Sequence, residues 1–97
     1  MGPPELLSDE EISKRIINLQ NWDLADSKHI KTIFNFKDFK DALNFVIKVG
    51  NIAENIQHHP EINLSWGKVE ITICTHDSGG LTELDFKFAK EVEQLVK

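Results

Sequence analysis

Apolar and polar positions along this chain follow two periods, and the switches between them mark out seven elements. Near the start, Ile12, Ile16, Ile17 and Leu19 recur at helical spacing. Ser8-Asp9-Glu10-Glu11 has the form of a capping box, with Ser8 as N-cap and Glu11 at the third helical position. Leu7 and Ile12 flank it as a hydrophobic staple. This helix is expected to fade over residues 18–21. The period then shortens to two. Residues 22–25 read as a short strand. Residues 29–36 read as a second, with Ile30, Thr32, Phe34 and Phe36 on one face and His29, Lys31, Ile33 and Asn35 on the other. Asp26-Ser27-Lys28 is the predicted turn.

The longest helical run covers 37–57. Phe39, Ala42, Leu43, Val46, Ile47, Gly50 and Ala53 fall on one stripe; Phe45, Val49, Ile52 and Ile56 form a second beside it. Together they span roughly 220° of arc, more than one sheet face needs. Either the helix is deeply buried in its own monomer, or it packs on its sheet and also on another subunit. Glu54 sits near the edge of the first stripe. A carboxylate there needs a partner or an outlet to water.

Residues 61–66 and 69–76 alternate again and read as a hairpin, with Gly67-Lys68 as a two-residue turn. That turn pairs Trp66 with Val69, Leu64 with Ile71 and Ile62 with Ile73, all on one face. Asp77-Ser78-Gly79-Gly80 is a loop. Thr82-Glu83-Leu84-Asp85 is a second capping signal, and Leu84, Phe88, Val92 and Leu95 supply the inner face of a last helix ending near residue 96. The order α-β-β-α-β-β-α predicts an α+β fold: a four-stranded antiparallel sheet with helices packed on one face. One domain over 1–97 is expected, with residues 1–6 disordered or tag-derived.

Composition narrows the function. Sixteen acidic residues against eleven basic ones leave a net charge of −5. That argues against a nucleic-acid binder. No apolar run is long enough to span a membrane, and no signal-peptide core precedes Ser8-Asp9-Glu10-Glu11. A single cysteine, Cys74, has no intramolecular disulfide partner, which points to a reducing compartment, cytoplasmic or nuclear. The chain carries no basic cluster to direct it to the nucleus.

Extending the predicted hairpin register sets His59 across from His76, with His58 beside them and Glu54 a few residues upstream. Three of the four histidines then meet at one end of one hairpin. Three readings fit this spacing. The cluster is polar surface at a strand end. Or it is a three-histidine metal site, although adjacent His58 and His59 chelate one ion poorly. Or it performs metal-free acid/base chemistry, for which imidazole is suited at neutral pH. Two such groups on opposite sides of a substrate can protonate a leaving group and remove a proton elsewhere, which suits dehydration. His29 reads as a surface residue on the polar side of its strand. Cys74 reads as a structural thiol, Asp85 as the capping partner of Thr82, and Trp66 as the end of an apolar stripe. Gly79-Gly80 is either a flexible turn or a helix-start acceptor for an anionic or carbonyl group.

Glu54, His58-His59-Pro60, Trp66, His76 and Asp85 together resemble the pattern of the pterin-4a-carbinolamine dehydratase family, whose animal members are also called dimerization cofactors of a homeodomain transcription factor. The loop 75–82, Phe34-Asn35-Phe36-Lys37-Asp38-Phe39 and Trp22 are similar as well. The resemblance implies dehydration of a 4a-hydroxytetrahydropterin to the quinonoid dihydropterin, in pterin cofactor recycling, with no metal or organic cofactor. It implies acid/base roles for His58 and His76, and substrate binding and orientation by His59. Glu54, Pro60, Thr75, Asp77 and Ser78 would line the pocket, with Trp22 as a wall. It further implies the α+β fold and a homodimer or homotetramer. Two positions depart from animal members: Leu84 stands where they often carry arginine, and Cys74 where they tend to have serine. A non-enzymatic module that captures a protein partner through the Phe45/Val49/Ile52/Ile56 face is the alternative, and the two functions can coexist.

Overall fold

The computed structural model describes residues 2–96. The Glu11 N–H donates to Ser8 Oγ and the Ser8 N–H donates to Glu11 Oε1, both at 3.1 Å. This reciprocal cap starts α1, Asp9–Ile17. A hairpin follows, β1 (Trp22–Asp26) and β2 (His29–Asn35). Next come α2 (Phe39–Ile56), β3 (Glu61–Ser65), β4 (Lys68–Ile73), a single 3-10 turn (His76–Ser78) and α3 (Glu83–Gln94). The strands form one antiparallel sheet in the order β1-β2-β4-β3. The predicted α+β fold and element order are therefore those of the structure.

Alternation decides which sheet face is covered. Ile30 and Phe34 on β2, and Val69, Ile71 and Ile73 on β4, are buried with Phe86, Phe88 and Val92 of α3. Between them, Lys31, Glu70 and Thr72 occupy the opposite face, which no helix covers among the described residues. Among the described residues, no helix is long and apolar enough to cross a membrane.

Two expectations need correction. The β3–β4 register is Leu64↔Val69 and Ile62↔Ile71, two positions from the predicted one. The faces are kept, because a slip of two preserves alternation. The turn is centred on Trp66 and Gly67, and Trp66 is 67% exposed rather than part of the stripe. Gly67 is also used differently. It does not take a positive φ. Instead its carbonyl accepts the Phe36 N–H at 2.7 Å, and a Cβ on it would stand 2.8 Å from the Phe36 carbonyl oxygen.

The second correction concerns α2. Ala42, Phe45, Val49 and Ala53 face the core. Phe45 packs against Phe34 and Phe36, each at a ring-centroid distance of 5.0 Å. Of the Phe45/Val49/Ile52/Ile56 face, Phe45 and Val49 are buried in the monomer core, and Ile52 and Ile56 are half-buried against it. The exposed apolar row belongs to the other stripe: Phe39, Leu43 and Ile47 are 40–55% exposed.

Candidate active site

Gln57 closes α2 in the left-handed conformation, φ 59° and ψ 44°, a place where glycine is usual. Its Nε2 donates back to the Glu54 carbonyl at 2.6 Å, and the His58 N–H caps the Ala53 carbonyl at 3.1 Å. The chain reverses within one residue and delivers His58-His59-Pro60 to the start of β3. Consecutive side chains then diverge.

His58 turns inward and its side chain is 11% exposed. Its Nε2 lies 2.7 Å from Asp85 Oδ1 and 3.5 Å from Thr75 Oγ1. Asp85 is fully buried. Its Oδ2 accepts the Thr82 N–H and the Thr75 hydroxyl, both at 2.8 Å. The Thr82 hydroxyl is 2.7 Å from Thr75 Oγ1 and accepts the Leu84 N–H at 3.3 Å. Proton counting fixes the directions. The one Thr75 proton goes to Asp85, so the Thr82 hydroxyl donates to Thr75. Both Asp85 oxygens are satisfied, as a buried carboxylate requires. A carboxylate only accepts, so His58 carries its proton on Nε2.

His59 turns outward, and its Nε2 contacts Glu54 Oε2 from the last turn of α2. The carboxylate that breaks the apolar pattern of the helix thus has an imidazole partner at the surface. On the other strand, the Thr75 carbonyl accepts the Ser78 and Gly79 N–H groups at 3.0 Å each. These bonds wind His76–Ser78 into its turn, which Gly79 ends at φ 79°. His76 projects from this turn beside Cys74, its ring nitrogens 3.7 and 3.8 Å from Sγ. Burial, and behind it the negative charges of Asp85 and Asp26, pushes the Cys74 thiol pKa up.

A cavity of about 250 Å³ opens where these pieces meet, lined by Asp26, His29, His59, Glu61, Cys74 and His76 among others. A larger groove of about 400 Å³ between α1 and α3 is lined by Arg15, Lys87 and Lys90 and by no imidazole.

The predicted site residues divide between the two sides. His59 and His76 share the cavity, and Glu54 joins them through His59. His58 and Thr75 lie behind it, in the Asp85 network. Pro60 is half-buried at the start of β3; Asp77 is exposed. Ser78 donates its hydroxyl to the Pro4 carbonyl. Trp22 is packed edge-to-face on Phe88, with ring centroids 6.4 Å apart, at the far end of β1 from Asp26. The structure does not bring it to the histidines. Nor does His59 face His76 in the ladder. Pairing stops at Glu61↔Thr72, and two further steps in that register lead to Cys74. Among the described residues, no group of three or more His, Cys, Asp and Glu side chains is placed to hold a metal ion.

Sequence reasoning passed over Asp85 and Thr82 as anchors of His58, and Asp26 and His29 as cavity wall. The first pair carried a signal, a second capping box close behind His76. The second pair carried none, because His29 lies far from the histidine motif in sequence.

Residues 5–95 match the model of the pterin 4 alpha carbinolamine dehydratase family. The chain belongs to that family. Relatives that carry the family's name include one from Trichodesmium erythraeum, 48% identical over 91 residues, which cover 94% of this chain and 97% of that one. Another, from Rubrobacter xylanophilus, is 44% identical over 93 residues, 96% of this chain and 85% of the relative. Among solved structures, a transcriptional coactivator/pterin dehydratase from Brucella melitensis superposes with a TM-score of 0.88 at 32% identity, over 94% of this chain and 98% of that chain. A pterin dehydratase-like RuBisCO assembly factor of the alpha-carboxysome shares the fold, with a TM-score of 0.65 at 23% identity over 78% of this chain and 89% of its own.

Proposed function

We propose that this chain dehydrates a 4a-hydroxytetrahydropterin to the quinonoid dihydropterin, in pterin cofactor recycling. The observation that carries the reading is a cavity lined by three imidazoles, His29, His59 and His76, of which the last two are delivered by the ends of β3 and β4. The reaction needs an acid at one point and a base at another. The acid gives a proton to the C4a hydroxyl, and the C4a–O bond breaks to release water. The base takes the N5 proton, and the electrons of that bond form C4a=N5. Imidazole serves either role at neutral pH. Glu54 accepts the Nε2 proton of His59, which leaves its Nδ1 for the substrate. His76, exposed beside Cys74, holds the other end.

In this reading His58 is a positioning residue, although the resemblance gives it proton work. Its Nε2 is engaged by Asp85, and it does not line the cavity. Single-variant kinetics separate the two roles. His59→Ala and His76→Ala are expected to lower kcat by roughly 100-fold and to remove one limb each of the pH profile. His58→Ala should keep both limbs. Loss of a limb in His58→Ala would return the proton role to it.

The test of the function generates the carbinolamine in situ with a pterin-dependent hydroxylase and follows its decay optically, with EDTA present. Decay accelerated by wild type and not by His76→Ala supports the proposal. No acceleration by folded wild type overturns it. A second reading, assembly with another copy of the chain, rests on the exposed Phe39, Leu43 and Ile47 row of α2.

A further inference from the structure

We infer that His29, held by Asp26, is a specificity-determining residue that hydrogen-bonds an uncharged, hydroxylated side chain on C6 of the pterin and disfavours phosphorylated pterins. The inference rests on the dehydratase reading of the cavity. One step beyond the pair Ile30↔Ile73 in the β2–β4 ladder lies His29 opposite Cys74; two steps beyond Glu61↔Thr72 in the β3–β4 ladder lies His59 opposite the same Cys74. His29, Cys74 and His59 thus form a row across three neighbouring strands on the uncovered face, and all three line the cavity. The fourth histidine of the chain, remote in sequence, forms the wall opposite the histidine motif.

That wall is built to hold a fixed hydrogen-bonding atom. A register shift between Leu24 and Asp26 kinks β1, as bulges do where a side chain must be re-aimed. Asp26 Oδ1 accepts the Lys28 N–H at 2.7 Å. His29 Nδ1 donates to both Asp26 oxygens, at 2.9 and 3.1 Å. The bifurcated bond fixes the tautomer, and Nε2 remains for a ligand. The His29 hydrogen bond, with the Lys28 N–H behind it, holds the Asp26 carboxyl below its usual range, so this wall is anionic at neutral pH.

Two groups flank the reacting C4a–N5 edge, the C4 carbonyl and the C6 substituent, and the free Nε2 of His29 is an acceptor that suits a hydroxyl donor on C6 and not the carbonyl. C4a and N5 react at His59 and His76. C6 is bonded to N5, so its substituent leaves the reacting edge within one bond and extends to the neighbouring wall. The amino-pyrimidine ring lies on the other side of C4a. The cavity lining includes the carboxylates of Asp26 and Glu61 and no lysine or arginine. A hydroxyl finds an acceptor there; a phosphate meets two carboxylates.

The test compares kcat/KM for the 4a-carbinolamines of three tetrahydropterins: 6-methyl, 6-dihydroxypropyl, and a 6-polyol phosphate. In His29→Ala the dihydroxypropyl-to-methyl ratio is expected to fall about tenfold, and His29→Gln should retain part of it. In Asp26→Asn the phosphate-to-dihydroxypropyl ratio should rise about threefold. Ratios unmoved in both variants overturn the inference. Fluorescence titration with the stable 7,8-dihydropterins bearing the same side chains separates the two proposals. Binding ratios that shift as stated, in a protein that leaves the carbinolamine untouched, sink the dehydratase reading alone. Dehydration by wild type with ratios indifferent to His29→Ala sinks this inference alone. No pterin binding by folded wild type sinks both.

Discussion

His58 donates its Nε2 proton to Asp85 across 2.7 Å, and Asp85 is the same residue that caps α3. One buried carboxylate therefore caps the start of a helix and orients an imidazole. Asp85→Ala removes the acceptor of three donors at once. It is expected to destabilise by about 3 kcal/mol or more, read as a lowered urea midpoint. Thr82→Ala, which breaks only the cap and its link to Thr75, should cost about 1 kcal/mol. Similar midpoints for the two variants would mean that the His58 arm of the network adds nothing.

Two glycines predict opposite signs. A Cβ at Gly67 meets the Phe36 carbonyl oxygen at 2.8 Å, whereas at Gly50, within α2, it meets nothing inside 4 Å. Gly67→Ala is expected to destabilise by about 1–3 kcal/mol, since backbone must move. Gly50→Ala should stabilise by roughly 0.5–1 kcal/mol through helix propensity. Thermal unfolding of both variants checks the contrast, and a stabilised Gly67→Ala would refute the tight crossing at the hairpin tip.

Cys74 should be a slow nucleophile. Its thiol pKa is raised, first by burial and then by the charge of Asp85. Folding thus favours the protonated thiol. The stabilisation from this group is complete below the unfolded thiol pKa and is lost as pH climbs through the higher folded value. Iodoacetamide at neutral pH is expected to alkylate native protein far more slowly than protein in urea. Equal rates in the two conditions would contradict the buried, protonated thiol.

The two stripes of α2 respond differently to charge. Phe45 is 5% exposed and Ile47 is 55% exposed. Phe45→Glu should unfold the chain. Ile47→Glu should leave circular dichroism unchanged and, if the exposed row joins copies of the chain, reduce the sedimenting mass. An unchanged mass from an assembled wild type would move the contact off this row.

Local chemistry was legible in the sequence wherever it was enough. Ser8 with Glu11 and Thr82 with Asp85 fixed two helix starts, because a capping box is closed within four residues. Alternation placed Ile30, Phe34, Ile71 and Ile73 on the correct side of the sheet. What escaped was set at a distance. Gly67 looked like a turn glycine but is needed for the approach of Phe36, which pattern alone does not show. An apolar arc as wide as that of α2 has no unique centre, so the core drew Ala42 and Ala53 from one stripe and Phe45 and Val49 from the other. The histidine motif was visible by spacing, yet the division between inward His58 and outward His59 depended on Asp85. His29 reached the cavity only through the β2–β4 ladder.

The tie between His58 and Asp85 also sets an order in time. A chain emerging from the ribosome presents Glu54 and all four histidines before α3 exists. Until Glu83–Gln94 is made and docked, His58 lacks the Asp85 carboxylate that settles its ring. Every amino acid of the motif can be in place while the site has not yet formed. The final helix acts as a late checkpoint in biogenesis, and a ribosome-stalled chain lacking it would carry the motif without its orientation.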